Sequence, residues 1–217
     1  MNDIELIIFD WDGTLSDSAD RIVAAVSAAA VASELPERDA QQIRDIIGLG
    51  LVESFTTLYS DDVLDRYDVF AAAYRDAYLN AEQSVARLFP GAMDTLEVLS
   101  GDYTLAVATG KSRVGLDREM KETETEHFFI TTRCADETEP KPHPRMLHEI
   151  LQQTGFAPEQ AIMIGDTDHD IKLAHNASVP ALAVQWGAQL RERLEAAEPR
   201  VIFDRIDELP GWIAPGR

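Results

Sequence analysis

Only one cysteine, Cys134, occurs in the 217 residues. No intramolecular disulfide can form, which fits a reducing compartment. Cations are scarce as well: 19 Lys and Arg stand against 39 Asp and Glu, a formal charge of −20. With no dense Lys/Arg tract to follow a phosphate backbone, nucleic acid is not expected as a partner. An anionic membrane surface is disfavoured on the same ground. Long apolar runs are missing too. The first, Leu6-Ile7-Ile8-Phe9, is too short for a signal peptide or a membrane span, and no basic residue precedes it. A cytoplasmic location is therefore expected. The acidic excess in its simplest reading confers solubility. It also repels anionic ligands, so an anionic substrate would need a local metal or cation. Nothing in the sequence sets an oligomeric state.

What the chain does contain is a rhythm. Ile4 to Phe9 is a β-branched, nearly continuous apolar run, as expected of a strand buried on both faces. Similar runs recur at Tyr103 to Ala108 and Ala161 to Ile164, and more weakly at Ala181 to Val184 and Val201 to Phe203. Helical patterns at Ser112 to Met120, Pro144 to Thr154 and Ile171 to Asn176 fall between them. Strands alternating with helices predict an α/β fold, a Rossmann-like parallel sheet with right-handed crossovers. The stretch from Ser16 to Leu88 breaks the rhythm. It holds helical patterns at Asp17 to Ser33, Asp39 to Ile47 and Asp62 to Ala81, and no convincing strand. A plain crossover needs about a dozen residues. The economical reading is an α-helical cap inserted after the first strand: residues 16–89, with 1–15 and 90–217 forming the core.

Polar clusters sit where strands end, and ligands of open parallel sheets bind beyond those ends. Asp10-Trp11-Asp12-Gly13-Thr14 follows the first strand. Asp10 and Asp12 have period-2 spacing and can face the same way, in which case their repulsion raises one pKa; an acidic turn punctuated by Gly13 is the plainer alternative. Thr109-Gly110-Lys111-Ser112 offers a hydroxyl and Gly-turn amides for phosphate oxygens, or simply a helix N-cap. It is no P-loop, because Leu105 stands where that pattern needs glycine. Pro140-Lys141-Pro142 presents a lysine on a stiffened segment. Gly165-Asp166-Thr167-Asp168-His169-Asp170 opens like a calcium loop, but Ile171 and Ala177 occupy positions that demand Gly and Glu. A hard-cation site built from carboxylates stays open.

Taken together, Phe9-Asp10-Trp11-Asp12-Gly13-Thr14-Leu15, Ala108-Thr109-Gly110-Lys111-Ser112-Arg113, Lys141-Pro142-His143-Pro144 and Gly165-Asp166-Thr167 through Asp170 resemble the haloacid dehalogenase-like hydrolase superfamily, most of all its phosphoglycolate-phosphatase-like branch. The resemblance implies that Asp10 is a nucleophile toward phosphorus and forms an aspartyl-phosphate. Asp12 would be the acid and base for the leaving alcohol and the water. Thr109 and nearby backbone amides would hold phosphoryl oxygens, and Lys141 would neutralise charge. Asp10, the carbonyl of Asp12, Asp166 and Asp170 would hold Mg²⁺. Gly13, Gly110 and Lys111 are expected against the substrate, joined from the cap by Gly48 and Arg44.

Charge arithmetic supports the metal. Asp10, Asp166 and a phosphate dianion bring about −4 against one lysine, and two like charges 4 Å apart cost roughly 4 kcal/mol at an effective dielectric of 20. The presence of Asp12 favours phosphate over halide chemistry, since halide leaves without a proton. The expected substrate is a small phosphorylated metabolite, with 2-phosphoglycolate the first candidate. A phosphosugar mutase of the same superfamily is the nearest alternative, though no extra acid/base in the cap suggests it. A phospho-receiver or binding domain is more remote, because the strand ending at Ala108 delivers Thr109 and not an aspartate. His169 is expected in a surface or loop role, Trp11 and Cys134 in packing. Ser178 stands where relatives often have a helix-ending Gly.

Overall fold

All four side chains of β1 (Leu6–Phe9) are buried. In the computed structural model, which describes residues 4–80 and 86–214, β1 pairs with β2 (Thr104–Thr109) on one side. On its other side lies β4 (Ala161–Gly165). β3 (Phe129–Cys134), β5 (Ala181–Val184) and β6 (Ile202–Phe203) complete a parallel sheet of order β3-β2-β1-β4-β5-β6. Strand alternation sends Ile7 and Phe9 into one apolar cluster and Leu6 and Ile8 into another. Both faces of the sheet are therefore covered, as continuous apolar strands require. The chain builds outward from β1 through β2 to β3, then returns to the far side of β1 with β4. That reversal opens a crevice beyond the carboxyl ends of β1 and β4.

Five of the six strands follow the apolar runs. β3 escaped because it is an edge strand: Thr131, Thr132 and Arg133 interrupt it, and only Thr131 and Cys134 are buried. The expected crossover helices appear as α6 (Arg113–Glu122), α7 (Arg145–Thr154) and α8 (Asp168–Asn176). A helix at Ala92–Ser100, α5, was not expected.

Among the described residues, four α-helices lie between β1 and α5: α1 (Ala19–Ala32), α2 (Ala40–Arg44), α3 (Leu51–Tyr59) and α4 (Tyr67–Asn80). The helix expected from Asp62 begins instead with a 3₁₀ turn, Asp61–Arg66, in which Val63 leaves helical geometry; its expected end at Ala81 lies outside the described residues. α3 was not expected. The four helices share their own apolar cluster, which includes Val26, Ile43, Phe55 and Phe70. The chain leaves and re-enters the sheet region side by side. Ser16 bridges to Leu88, Asp17 N–H donates to Arg87 O at 2.8 Å, and Phe89 N–H donates to Leu15 O at 2.9 Å.

The end of α8 explains Ser178. Its N–H donates to His175 O and that of Val179 to Ala174 O, the paired bonds of a Schellman motif. That motif places Ser178 at φ 59°, in the left-handed region. A side chain there costs about 1 kcal/mol, partly offset by the freedom glycine gives the unfolded chain. Ser178→Gly is expected to raise the melting temperature by roughly 2 °C. A lower melting temperature would show that the exposed serine makes a stabilising contact.

Candidate active site

Asp10 leaves β1 with its N–H donated to Ile164 O at 2.8 Å, and its side chain is fully buried. The chain then doubles back: Leu15 and Ser16 N–H both donate to Trp11 O, and Gly13 takes φ 85°. This turn separates the two aspartates that strand spacing would have kept together. Asp10 faces Lys141, with Nζ–Oδ1 2.8 Å. Asp12 faces Lys111, whose Nζ donates to both its oxygens at 2.9 and 3.0 Å, while Ser18 Oγ donates at 2.6 Å. The Asp10 carboxyl is pushed up to about 7, but not by Asp12. Burial is the chief cause, with Asp170 adding and Lys141 opposing.

Asp166, after β4, is also fully buried. It accepts from Thr14 Oγ1 at 2.9 Å and from Ala188 N–H at 2.7 Å. Its approach depends on missing side chains: a Cβ on Gly13 would lie 2.2 Å from Asp166 Oδ2, and one on Gly187 2.3 Å away. Gly187 and Ala188 went unnoticed in the sequence because no motif marks them. Burial, then Asp10 and Asp170, hold the Asp166 pKa well above the ordinary range.

Asp170 accepts from Lys141 Nζ at 2.6 Å through one oxygen, and from Thr167 N–H and Oγ1 at 3.1 and 2.6 Å through the other. It was expected as a metal ligand. Its hydrogen bonds also fix Lys141, and it stays one of the three carboxylates grouped closely enough to hold an ion. Burial disfavours the Lys141 charge, yet Asp10 and Asp170 outweigh it and raise its pKa. Asp10, Asp166 and Asp170 each place an oxygen within 4.8 Å of the others. Three carboxylates thus cluster, and one ammonium, paired with two of them, offsets only part of their charge. Moreover, neither oxygen of Asp10 has an aligned hydrogen bond, and both are buried. A buried, under-satisfied carboxylate in an all-oxygen cluster is the donor set a hard divalent cation requires. The residues fit a Mg²⁺ ion.

Thr109 ends β2, buried, and accepts from Lys111 N–H at 3.1 Å. Ser112 caps α6, accepting from Gly115 N–H. Gly110 lies against the turn between α2 and α3, where an added Cβ would meet Gly48 O at 2.3 Å. A Cβ on Gly48 would lie 3.9 Å from Asp10 Oδ2. This turn therefore lies over Asp10. Arg44 does not reach the site; it pairs with Asp20 at the surface. His169 Nε2 meets Asp45 O at 3.2 Å and lies 3.7 Å from Asp168 Oδ1.

Sequence reading also missed a buried polar network behind Asp12. Glu119 on α6 accepts from Trp11 Nε1 at 2.7 Å and Tyr78 OH at 2.6 Å, and pairs with Arg21. Lys111 Nζ lies 3.4 Å from Glu119 and 3.1 Å from Tyr78 OH. Arg21 on α1 and Tyr78 on α4 thus tie the four-helix segment to the sheet side. Helical spacing marks Tyr78 as apolar, and nothing local announces a buried partner 41 residues away.

The family model for haloacid dehalogenase-like hydrolases matches residues 7–184. The chain belongs to that family. A probable phosphatase, IndB, of Dickeya dadantii is 35% identical, with 95% of this chain and 92% of that protein covered. A phosphoglycolate phosphatase of Vibrio parahaemolyticus is 27% identical, with 95% of each chain covered. A haloacid dehalogenase-like hydrolase from Streptococcus pneumoniae superposes with a TM-score of 0.84 at 32% identity, covering 99% of this chain and all of that one. The family member described here therefore keeps the full α/β core of its relatives.

Proposed function

We propose that the protein is a Mg²⁺-dependent phosphatase that hydrolyses a small phosphomonoester through an aspartyl-phosphate. The carrying observation is Asp10: a buried carboxylate, free of aligned hydrogen bonds, held 2.8 Å from Lys141 at the sheet's switch point. An Asp10 oxygen attacks phosphorus as the ester P–O bond breaks. Asp12, when protonated, gives its proton to the departing alkoxide and then takes one from the attacking water. Attack of that water frees phosphate and regenerates the Asp10 carboxylate. Thr109 and the Gly110 turn offer donors to the phosphoryl oxygens, and Lys141 balances charge. Mg²⁺, held by Asp10, Asp166 and the Asp12 carbonyl, would stabilise charge on the phosphoryl group.

The helices between residues 16 and 89 are proposed as a lid whose Gly48 turn shields Asp10 from water. The names of relatives make 2-phosphoglycolate the first compound to assay. Exhaustive chelation with EDTA is expected to abolish phosphate release, and excess Mg²⁺ to restore it. Unchanged turnover in protein shown metal-free by elemental analysis would remove the ion from the reaction. Release of inorganic phosphate without any sugar-bisphosphate primer separates this reading from a mutase.

A further inference from the structure

We propose that the preferred substrate carries an uncharged, apolar leaving alcohol larger than glycolate; the inference rests on the phosphatase reading above and names the substrate class of the same site. A cavity of about 420 Å³ opens beside Asp12 and Lys111 and runs beneath the helical segment. Asp12, proposed above as the proton donor to the leaving oxygen, is in the lining, which points to this cavity as the place for the group esterified to phosphate. At roughly 30 Å³ per water-sized heavy atom, the nine heavy atoms of 2-phosphoglycolate, phosphoryl group included, need on the order of 270 Å³. About a third of the space would stay empty.

The lining is chiefly apolar, with Val26, Ile47 and Phe70 among its walls. Val52, Leu79 and Val114 also line it, and they are 47%, 45% and 79% exposed. Large exposed apolar side chains grouped at one mouth mark a binding site better than scattered ones. Three cations line the cavity, and the two nearest α6 are already paired with carboxylates. Lys111 is held between Asp12 and Glu119. Arg118 is joined to Glu122. Arg75 is exposed at the rim. Glu53 and Asp136 are also in the lining and would repel an acidic leaving group. A sugar fares no better, since its hydroxyls would displace water onto apolar walls. Two of the polar groups in the lining, Lys111 Nζ and Tyr78 OH, are engaged with each other and with Glu119.

The test is phosphate release, in saturating Mg²⁺, from straight-chain alkyl phosphates of increasing length, from naphthyl phosphate and from 2-phosphoglycolate. kcat/KM is expected to rise roughly fourfold per methylene, the transfer free energy of one buried CH₂, until the cavity is filled. Naphthyl phosphate should exceed 2-phosphoglycolate by at least tenfold. Val52→Ser with Val114→Ser, at exposed positions that tolerate the change, should flatten the chain-length slope. A flat or falling series, or 2-phosphoglycolate as the best ester, overturns the inference while leaving the phosphatase reading intact. Hydrolysis of none of these esters overturns both.

Discussion

Asp10→Asn is expected to lower phosphate release by on the order of 10⁶-fold, the scale of losing a covalent nucleophile, and at the same time to stabilise the metal-free protein. The two effects share one cause. Burial, reinforced by Asp170, holds the Asp10 carboxyl at about 7 against the pull of Lys141. In the unfolded chain it titrates near 3.9. Between those values the folded state binds the proton more tightly, so Asp10 lowers stability progressively as pH climbs from about 4 to about 7. An amide carries no such penalty. The variant's gain in melting temperature should be largest above neutrality and vanish near pH 4, in chelated samples. Added Mg²⁺ should then raise the wild-type melting temperature more than the variant's, because the variant lacks one anionic ligand. Substantial turnover by the variant would end the covalent mechanism. A variant less stable than wild type in chelated alkaline buffer would show that Asp10 is not the strained group.

Much of this site was legible because strand ends leave a signature. Apolar runs locate β1, β2 and β4, and the first polar residues after them are Asp10, the Thr109 turn and Asp166. What failed was anything that depends on how the chain leaves the strand. Period-2 spacing joined Asp10 to Asp12, yet the Trp11 turn gives each its own lysine. β3 was invisible because an edge strand needs no apolar continuity. Gly187, whose bare Cα admits Asp166, lies in a loop with no local constraint to read. Nothing local marks Glu119 as buried; only the tertiary arrival of Trp11, Tyr78 and Arg21 makes it a buried anchor. Local patterns report which residues are buried by their own element. Partners brought together over 100 positions leave no trace in spacing.

Lys141→Met removes the cation that the buried carboxylates of Asp10 and Asp170 share, and its expected cost is large in stability as well as rate. Lys141 is fully enclosed, 2.8 Å from Asp10 and 2.6 Å from Asp170. Breaking such a pair leaves uncompensated buried charge, typically a loss of about 3–5 kcal/mol. For a chain of this length that corresponds to a fall of roughly 10 °C in melting temperature. Turnover should drop by on the order of 10³-fold, as when a charge-stabilising donor is lost. Lys141→Arg should not restore it, since a planar fork cannot occupy a pocket shaped around a single ammonium. Two controls separate charge from packing. Adding Asp170→Asn to Lys141→Met removes one of the stranded anions, so melting temperature should recover while turnover does not. Mg²⁺ should likewise narrow the stability gap by bringing positive charge to the same cluster. If the double variant melts no higher than Lys141→Met, lost packing and not stranded charge governs the site. The lysine would then be a structural plug that happens to touch the nucleophile.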